Sequence, residues 1–297
     1  MVYIPLHTLP TRIQIAKPDI VAFFERAEKK VYSFTELSHV LAQNRQGWRL
    51  AQSFTRNDFI DFLREKSALK QVILKSETYH PEERYVWGEA SVYELALSLR
   101  KGSYLTHGTA VFLHALNDQL PSTVYVNHEQ SPKPRIGKLS QDAIHRVFSR
   151  PQRQSNYIFV YENTKIVAIS GKNTGRLEVG KLSGPDGVLY DGTKLERTLI
   201  DIAVRPFYAG GAFQVLEAYK RAEDRMSVNT LVATLKKLDY AYPYHQVIGF
   251  YMERAGYEEG RLSHLEKLGI NFDFYLTYAI VDREYSQRWR LFYPAGL

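Results

Sequence analysis

Ser33-Phe34-Thr35-Glu36-Leu37-Ser38-His39-Val40-Leu41 and, after a break, Thr55-Arg56-Asn57-Asp58-Phe59-Ile60-Asp61-Phe62-Leu63 follow one pattern. In each, a hydroxyl residue stands three positions before an acid and opens an apolar run, which is the capping box of a helix start. Phe34, Leu37, Val40 and Leu41 supply the inward face of the first helix, and Phe59, Ile60, Phe62 and Leu63 that of the second. Between them Asn44-Arg45-Gln46-Gly47 interrupts the helical pattern. Upstream, Ile20, Val21, Phe23, Phe24 and Ala27 predict a helix from about Asp19 to Lys29. Downstream, Val72-Ile73-Leu74 and Tyr85-Val86-Trp87 are β-prone and flank the polar tip Ser76 to Glu83, so they pair as a two-stranded ribbon. Helix, helix, helix, ribbon is the order of the winged-helix variety of helix-turn-helix, with the helix opened by Thr55 as recognition helix and the ribbon as wing.

A helical segment from Val92 to Leu99 leads away from the ribbon and sets a domain border at about residue 90. The expectation is an α+β protein: a winged-helix domain over 1–90 and a larger mixed α/β domain over 91–297. In the second, the pattern predicts a helix over Thr109 to Leu116, a strand at Ser122 to Asn127 and a short helix near Asp142 to Phe148. Strands follow at Tyr157 to Tyr161 and Lys165 to Ser170, then helices at Leu195 to Ala203, Ala212 to Ala222, Val228 to Leu238 and Tyr244 to Ala255. Phe272 to Val281 and Trp289 to Tyr293 read as closing strands. No internal repeat or low-complexity tract interrupts the chain.

At 297 residues the chain is long enough for two domains, and 44% hydrophobic with 24% charged residues is an ordinary globular balance. The absence of cysteine excludes disulfides, thiolate nucleophiles and zinc-finger sites. The opening MVYIPLHTLPTRIQIAKPD lacks the layout of a signal peptide, and no apolar run is long enough to cross a bilayer, so a cytoplasmic address without membrane association is expected. A net charge of +7 and a pI near 9.3 favour nucleic acid or an acidic partner.

For duplex DNA the useful positions lie at the start of the recognition helix and on the wing, since a helix N-terminus points free N–H groups at phosphates while neighbouring side chains reach base edges. These are Arg49, Gln52, Thr55, Arg56 and Asn57, with Lys75 and Arg84 on the wing. The alternative is a set of solvated polar residues on a domain that docks a protein. Asp58, Asp61, Glu65, Glu82 and Glu83 dilute the positive charge there. His107 and His114 stand seven apart and invite a metal or general-base reading, but no HExxH, HxH or carboxylate spacing accompanies them. Gly171, Gly175, Gly180, Gly184, Gly187 and Gly192 match no phosphate-loop spacing and read as turns. Asp186, Asp191, Lys194 and Glu196 lack the acid-x-lysine element that a nuclease needs. Arg197 and Asp201, four apart, can pair on one helix face while Leu199 and Ile200 point inward, and the plain reading is a helix-stabilising ion pair.

Three blocks, taken in order, carry a resemblance. One runs from Ser103 through Thr106-His107-Gly108-Thr109-Ala110, His114-Ala115 and Leu120-Pro121-Ser122 to Val126. The next is Lys194-Leu195-Glu196-Arg197-Thr198-Leu199-Ile200-Asp201, continuing through Arg205-Pro206 to Gly210-Gly211. The last is Val247-Ile248-Gly249-Phe250-Tyr251-Met252-Glu253-Arg254-Ala255-Gly256. Together they resemble the AbiEi antitoxins of bacterial type IV toxin–antitoxin systems. The segment from Gly47 to Lys70 is longer than the compact family version, and the stretch after Gly256 carries no family motif.

The resemblance implies a winged helix that binds inverted repeats in its own promoter and represses the operon. It also implies a C-terminal domain, with Glu196, Arg197 and Asp201 in its function, that counters a nucleotidyltransferase-like toxin without having to grip it. No catalytic residue, metal or other cofactor is expected. Two other readings stand beside it: a stand-alone winged-helix regulator without a toxin, and a nuclease or nucleotidyltransferase, which needs a carboxylate cluster that the sequence does not assemble.

Overall fold

Both capping boxes form in the computed structural model of the chain, which describes residues 11–119, 121–133, 137 and 139–297. Ser33 N donates to Glu36 Oε2 at 2.8 Å and Glu36 N returns to Ser33 Oγ at 3.3 Å; Thr55 and Asp58 do the same at 2.7 and 3.2 Å. The N-terminal residues read above for a signal peptide, 1–10, and Leu120 of the first block lie outside the described residues. The chain is a mixture of helix and sheet in two units, the first ending at Ser98 and the second beginning at Leu99. No helix among the described residues is long and apolar enough to cross a membrane.

The first unit runs α1 (Arg12–Arg26), β1 (Val31–Tyr32), α2 (Phe34–Asn44), α3 (Arg56–Lys66), β2 (Leu69–Leu74), β3 (Glu82–Trp87) and α4 (Val92–Ser98). The expected border at about residue 90 falls just before α4, which closes this unit. β2 and β3 form the antiparallel ribbon from Leu69↔Trp87 to Leu74↔Glu82, and β1 joins β3 on its other edge to give the order β1-β3-β2. α1 starts well before the expected Asp19 and holds Pro18 in its interior. The missing Pro18 N–H is tolerated because Ala16, Ile20 and Phe24, spaced four apart, are all buried, and packing of that stripe outweighs the lost bond. Phe24 stacks on Trp87 with centroids 4.7 Å apart, and Trp48 on Phe59 at 5.7 Å. Burying an aromatic or large aliphatic side chain contributes about 1.5–3 kcal/mol, so these rings dominate the small core. Arg45 holds the long α2–α3 connection by donating to the carbonyls of Ala51 and Phe54.

The second unit contains β4 (Tyr104–Leu105), α5 (His107–Leu113), β5 (Thr123–Glu129), α6 (Gln141–Phe148), β6 (Ile158–Tyr161), β7 (Thr164–Gly171), β8 (Val179–Ser183) and β9 (Leu189–Thr193). There follow α7 (Leu195–Val204), a 3-10 turn (Pro206–Ala209), α8 (Ala212–Ala222), α9 (Val228–Leu238), α10 (Tyr244–Arg254), α11 (Glu259–Glu266), β10 (Phe274–Tyr275), β11 (Arg283–Ser286) and β12 (Leu291–Pro294). A six-stranded sheet has the order β6-β7-β5-β4-β9-β8, parallel at β5–β7 and β4–β9 and antiparallel elsewhere. Ile166, Val167, Ala168 and Ile169 are buried in succession, so β7 is covered on both faces. Of the glycines read as turns, Gly171 ends β7, Gly180 and Gly192 lie within β8 and β9, and Gly184 and Gly187 form the turn between those two strands. The remaining core gathers α7 to α11 around Trp289. Where one long strand was expected from Phe272 to Val281, only Phe274 and Tyr275 pair, in a small sheet β10-β12-β11. The aromatic side chains there are spent on packing: Tyr278 stacks on Phe148 at 4.4 Å and Phe274 meets it edge-on at 4.8 Å.

Candidate functional site

Two places hold the candidate residues. At the start of α3, Thr55, Arg56 and Asn57 are exposed, as are Arg49 and Gln52 on the preceding connection and Lys75 at the end of β2. The Arg56 guanidinium lies 5.2 Å over the Phe34 ring at the start of α2. Asp58, one of the acids expected to dilute the charge, turns its carboxylate back onto Thr55 N and Oγ1, both at 2.7 Å, and these bonds hold its pKa below the usual carboxylate range. Arg84 is a correction: it is 5% exposed and faces inward, bonded to Ser98 Oγ at 3.0 Å and to Glu82 at 2.9 Å. Strand alternation sends it to the face that α4 covers, so it leaves the set of candidate DNA contacts.

The second place is α7. Thr198 Oγ1 donates to Thr193 O at 2.9 Å and ties the helix start to β9, while His114 Nε2 meets the same carbonyl at 2.8 Å. Glu196 is half-buried and accepts from Ser227 N at 2.9 Å, capping α9. Arg197 and Asp201 pair at 2.8 Å, and at 4% and 5% exposure they are part of the interior rather than a surface. Arg197 Nη1 also donates to Leu177 O at 2.9 Å. Burial opposes the Arg197 charge, but Asp201, Tyr240 and Tyr104 outweigh it and hold the guanidinium above its usual range.

Above the pair a pocket is lined by Thr106, His107, Asn127, Lys172, Arg197, Asp201, Arg205 and Tyr240, with Ile169, Gly171 and Val204. Thr106 Oγ1 donates to Asp201 Oδ2 at 3.3 Å and lies 3.0 Å from His107 Nδ1; since its one proton goes to the carboxylate, Nδ1 carries the proton of that contact. His107 sits at φ 49° on the first residue of α5, followed by Gly108, where a Cβ would stand 3.0 Å from Tyr208 O and 3.2 Å from the Tyr125 ring. Gly108 of the first block therefore has a packing reason. Burial pushes the His107 imidazole down to about 4, with Arg205 and Arg197 helping and Asp201 opposing.

His107 is neutral in the folded protein, while the unfolded chain takes up its proton below pH 6.5. Its contribution, about 3 kcal/mol, is complete above that value and lost as pH falls toward 4. Between about pH 7.5 and pH 5, wild type should lose about 2 kcal/mol more than His107→Asn, asparagine being tolerated at positive φ. Parallel stability curves from chemical denaturation would refute this.

The nuclease candidates do not converge. Asp191 pairs with Arg176 and Lys181 at 2.7 and 2.8 Å, Lys194 with Glu178 at 3.1 Å, and Asp186 accepts from Val188 N and Tyr190 Oη. Among the described residues no group of three or more His, Asp or Glu stands close enough to hold a metal ion. Thr106 and Arg205 stand in the blocks that carry the resemblance, whereas Asn127, Lys172 and Tyr240 were not singled out as site residues from sequence. Arg205 left a further signal in its spacing, since Arg197, Asp201 and Arg205 are four apart.

No family model matches the chain, and no curated protein matches it. It is similar to the crystal structure of the RV2827C protein from Mycobacterium tuberculosis, with a TM-score of 0.55, over 96% of this chain and 92% of that one, at 14% sequence identity. The likeness is one of fold. It extends over nearly the whole of both chains, and at that identity no side-chain role is carried across.

Proposed function

We propose that the chain is a DNA-binding regulator of the antitoxin type, with its first unit acting as a winged helix. One observation carries the reading: α1, β1, α2, α3, β2 and β3 follow one another in that order, with β1 on the edge of the β2–β3 ribbon and exposed Arg56 and Asn57 at the start of α3. On this reading α3 enters the major groove, Arg56 forks onto guanine and Asn57 onto adenine, and Lys75 meets phosphate from the ribbon. Arg49, Gln52 and Thr55 position the module, and two copies occupy an inverted repeat in the promoter. The resemblance to AbiEi antitoxins supplies the other half, in which the second unit counters a nucleotidyltransferase-like toxin. Arg197 and Asp201 then act as the interior support of that unit, and Glu196 through the α9 start that it caps.

The test has two arms. Gel shifts with upstream and scrambled duplex should show specific, salt-sensitive binding, and Arg56→Ala with Asn57→Ala should abolish the preference, since each base contact is worth about 1–3 kcal/mol. Equal affinity for both duplexes in the wild type overturns the DNA reading. Co-expression with an adjacent nucleotidyltransferase gene should restore growth; continued arrest overturns the antitoxin half and leaves the regulator.

A further inference from the structure

The charges around the α7 pocket do not balance. Asp201 is spent on Arg197 and Thr106. Lys172 Nζ is held by the carbonyls of Leu238 and Asp239 at 2.6 and 2.5 Å, over the Tyr240 ring; neutral carbonyls orient an ammonium but leave its charge in place. Arg205, half-buried at the end of α7, lines the pocket, and its guanidinium has no hydrogen-bond or ion-pair partner among the described residues. Among the lining residues three cations, Arg197, Lys172 and Arg205, thus stand with one carboxylate, and His107 adds no charge at neutral pH. The Arg205 guanidinium therefore keeps its forked donors for a ligand, and an anion in the pocket would offset the excess of positive charge there.

The candidate donors also come from three separate elements: Arg205 from the end of α7, Lys172 from the loop after β7, and Tyr240 from the loop after α9. A planar carboxylate offers two oxygens to such a set, whereas a tetrahedral phosphate offers one to each. Arginine forks onto phosphate oxygens and lysine meets them as a point charge.

We propose that this pocket binds a phosphate group, with Arg205 as its principal ligand and Lys172 and Tyr240 as supporting donors. The source is either free phosphate or the phosphate of a small nucleotide. The assignment stands apart from the DNA reading and concerns the second unit alone.

The experiment titrates the full chain with inorganic phosphate, and separately with AMP, by calorimetry and phosphorus NMR, with ionic strength matched by chloride. Wild type should bind saturably, and Arg205→Gln should weaken binding at least about tenfold, as expected for loss of a charged hydrogen bond. Arg205→Lys, which keeps the charge without the fork, should fall between the two. AMP tighter than phosphate identifies a nucleotide source, and equal affinity identifies the free ion. Circular dichroism without ligand checks that the variants fold. Arg56→Ala with Asn57→Ala should bind phosphate as wild type does. No saturable binding in the wild type, undiminished binding in folded Arg205→Gln, or loss in the Arg56/Asn57 variant overturns the assignment.

Discussion

Asp201→Ala is expected to cost about 3–5 kcal/mol of stability, the range for removing one partner of a buried ion pair. Among the described residues Arg197 would keep Leu177 O and Thr174 Oγ1 as acceptors, at 2.9 and 3.5 Å, and its full charge would face the interior without Asp201 as counter-ion. Thr106 would lose its acceptor as well. The damage should centre on α7, whose residues from Arg197 to Ala203 are all buried. Hydrogen exchange read by mass spectrometry separates this from loss elsewhere: amides of α7 and its packing partners should lose protection, while α2 and α3 keep theirs. The double variant Arg197→Met with Asp201→Leu should recover much of the loss, because a matched apolar pair carries no desolvation penalty. A loss below about 1 kcal/mol for Asp201→Ala would mean that the pair is solvated like a surface bridge.

Trp289→Ala should cost about 3–5 kcal/mol, as large-to-small changes at fully buried aromatic sites do. Trp289 is seated on α10 against Gly249, and its Nε1 donates to Glu253 Oε2 at 3.0 Å one turn further along. A Cβ on Gly249 would stand 2.2 Å from the ring, so glycine leaves the space in which the indole lies. Gly249→Ala should therefore also destabilise, by about 1–3 kcal/mol, although alanine is the better helix former. Combining the two changes should cost less than the sum, because alanine at 289 removes the ring that the new Cβ would strike. Full additivity in denaturant titrations would disconnect Gly249 from Trp289. The Gly249 and Glu253 of the third block thus have a packing reason that is independent of any toxin.

The parts legible in the sequence were those decided within a few residues. The two capping boxes are local bonds between positions three apart, and they form as read. α8 and α9 keep the expected bounds because a strong apolar stripe over an uninterrupted run leaves the chain one way to bury it. The Arg197–Asp201 contact follows from helix geometry alone.

What the sequence could not decide depended on partners distant in the chain. β1 and β4 are two residues long and exist as strands because β3 pairs with the first and β5 and β9 pair with the second. Arg84 looked like a polar wing residue until α4 covered its face of the ribbon, and the aromatic run after Phe272 was diverted from a strand by the Phe148 ring. The pocket is the clearest case: its ligand candidates come from α7 and from the loops after β7 and α9. Local spacing by itself determined where helices start and which neighbours share a face; burial, charge balance and which cation lacks an acceptor were decided by the tertiary structure, because desolvation depends on everything that surrounds a group.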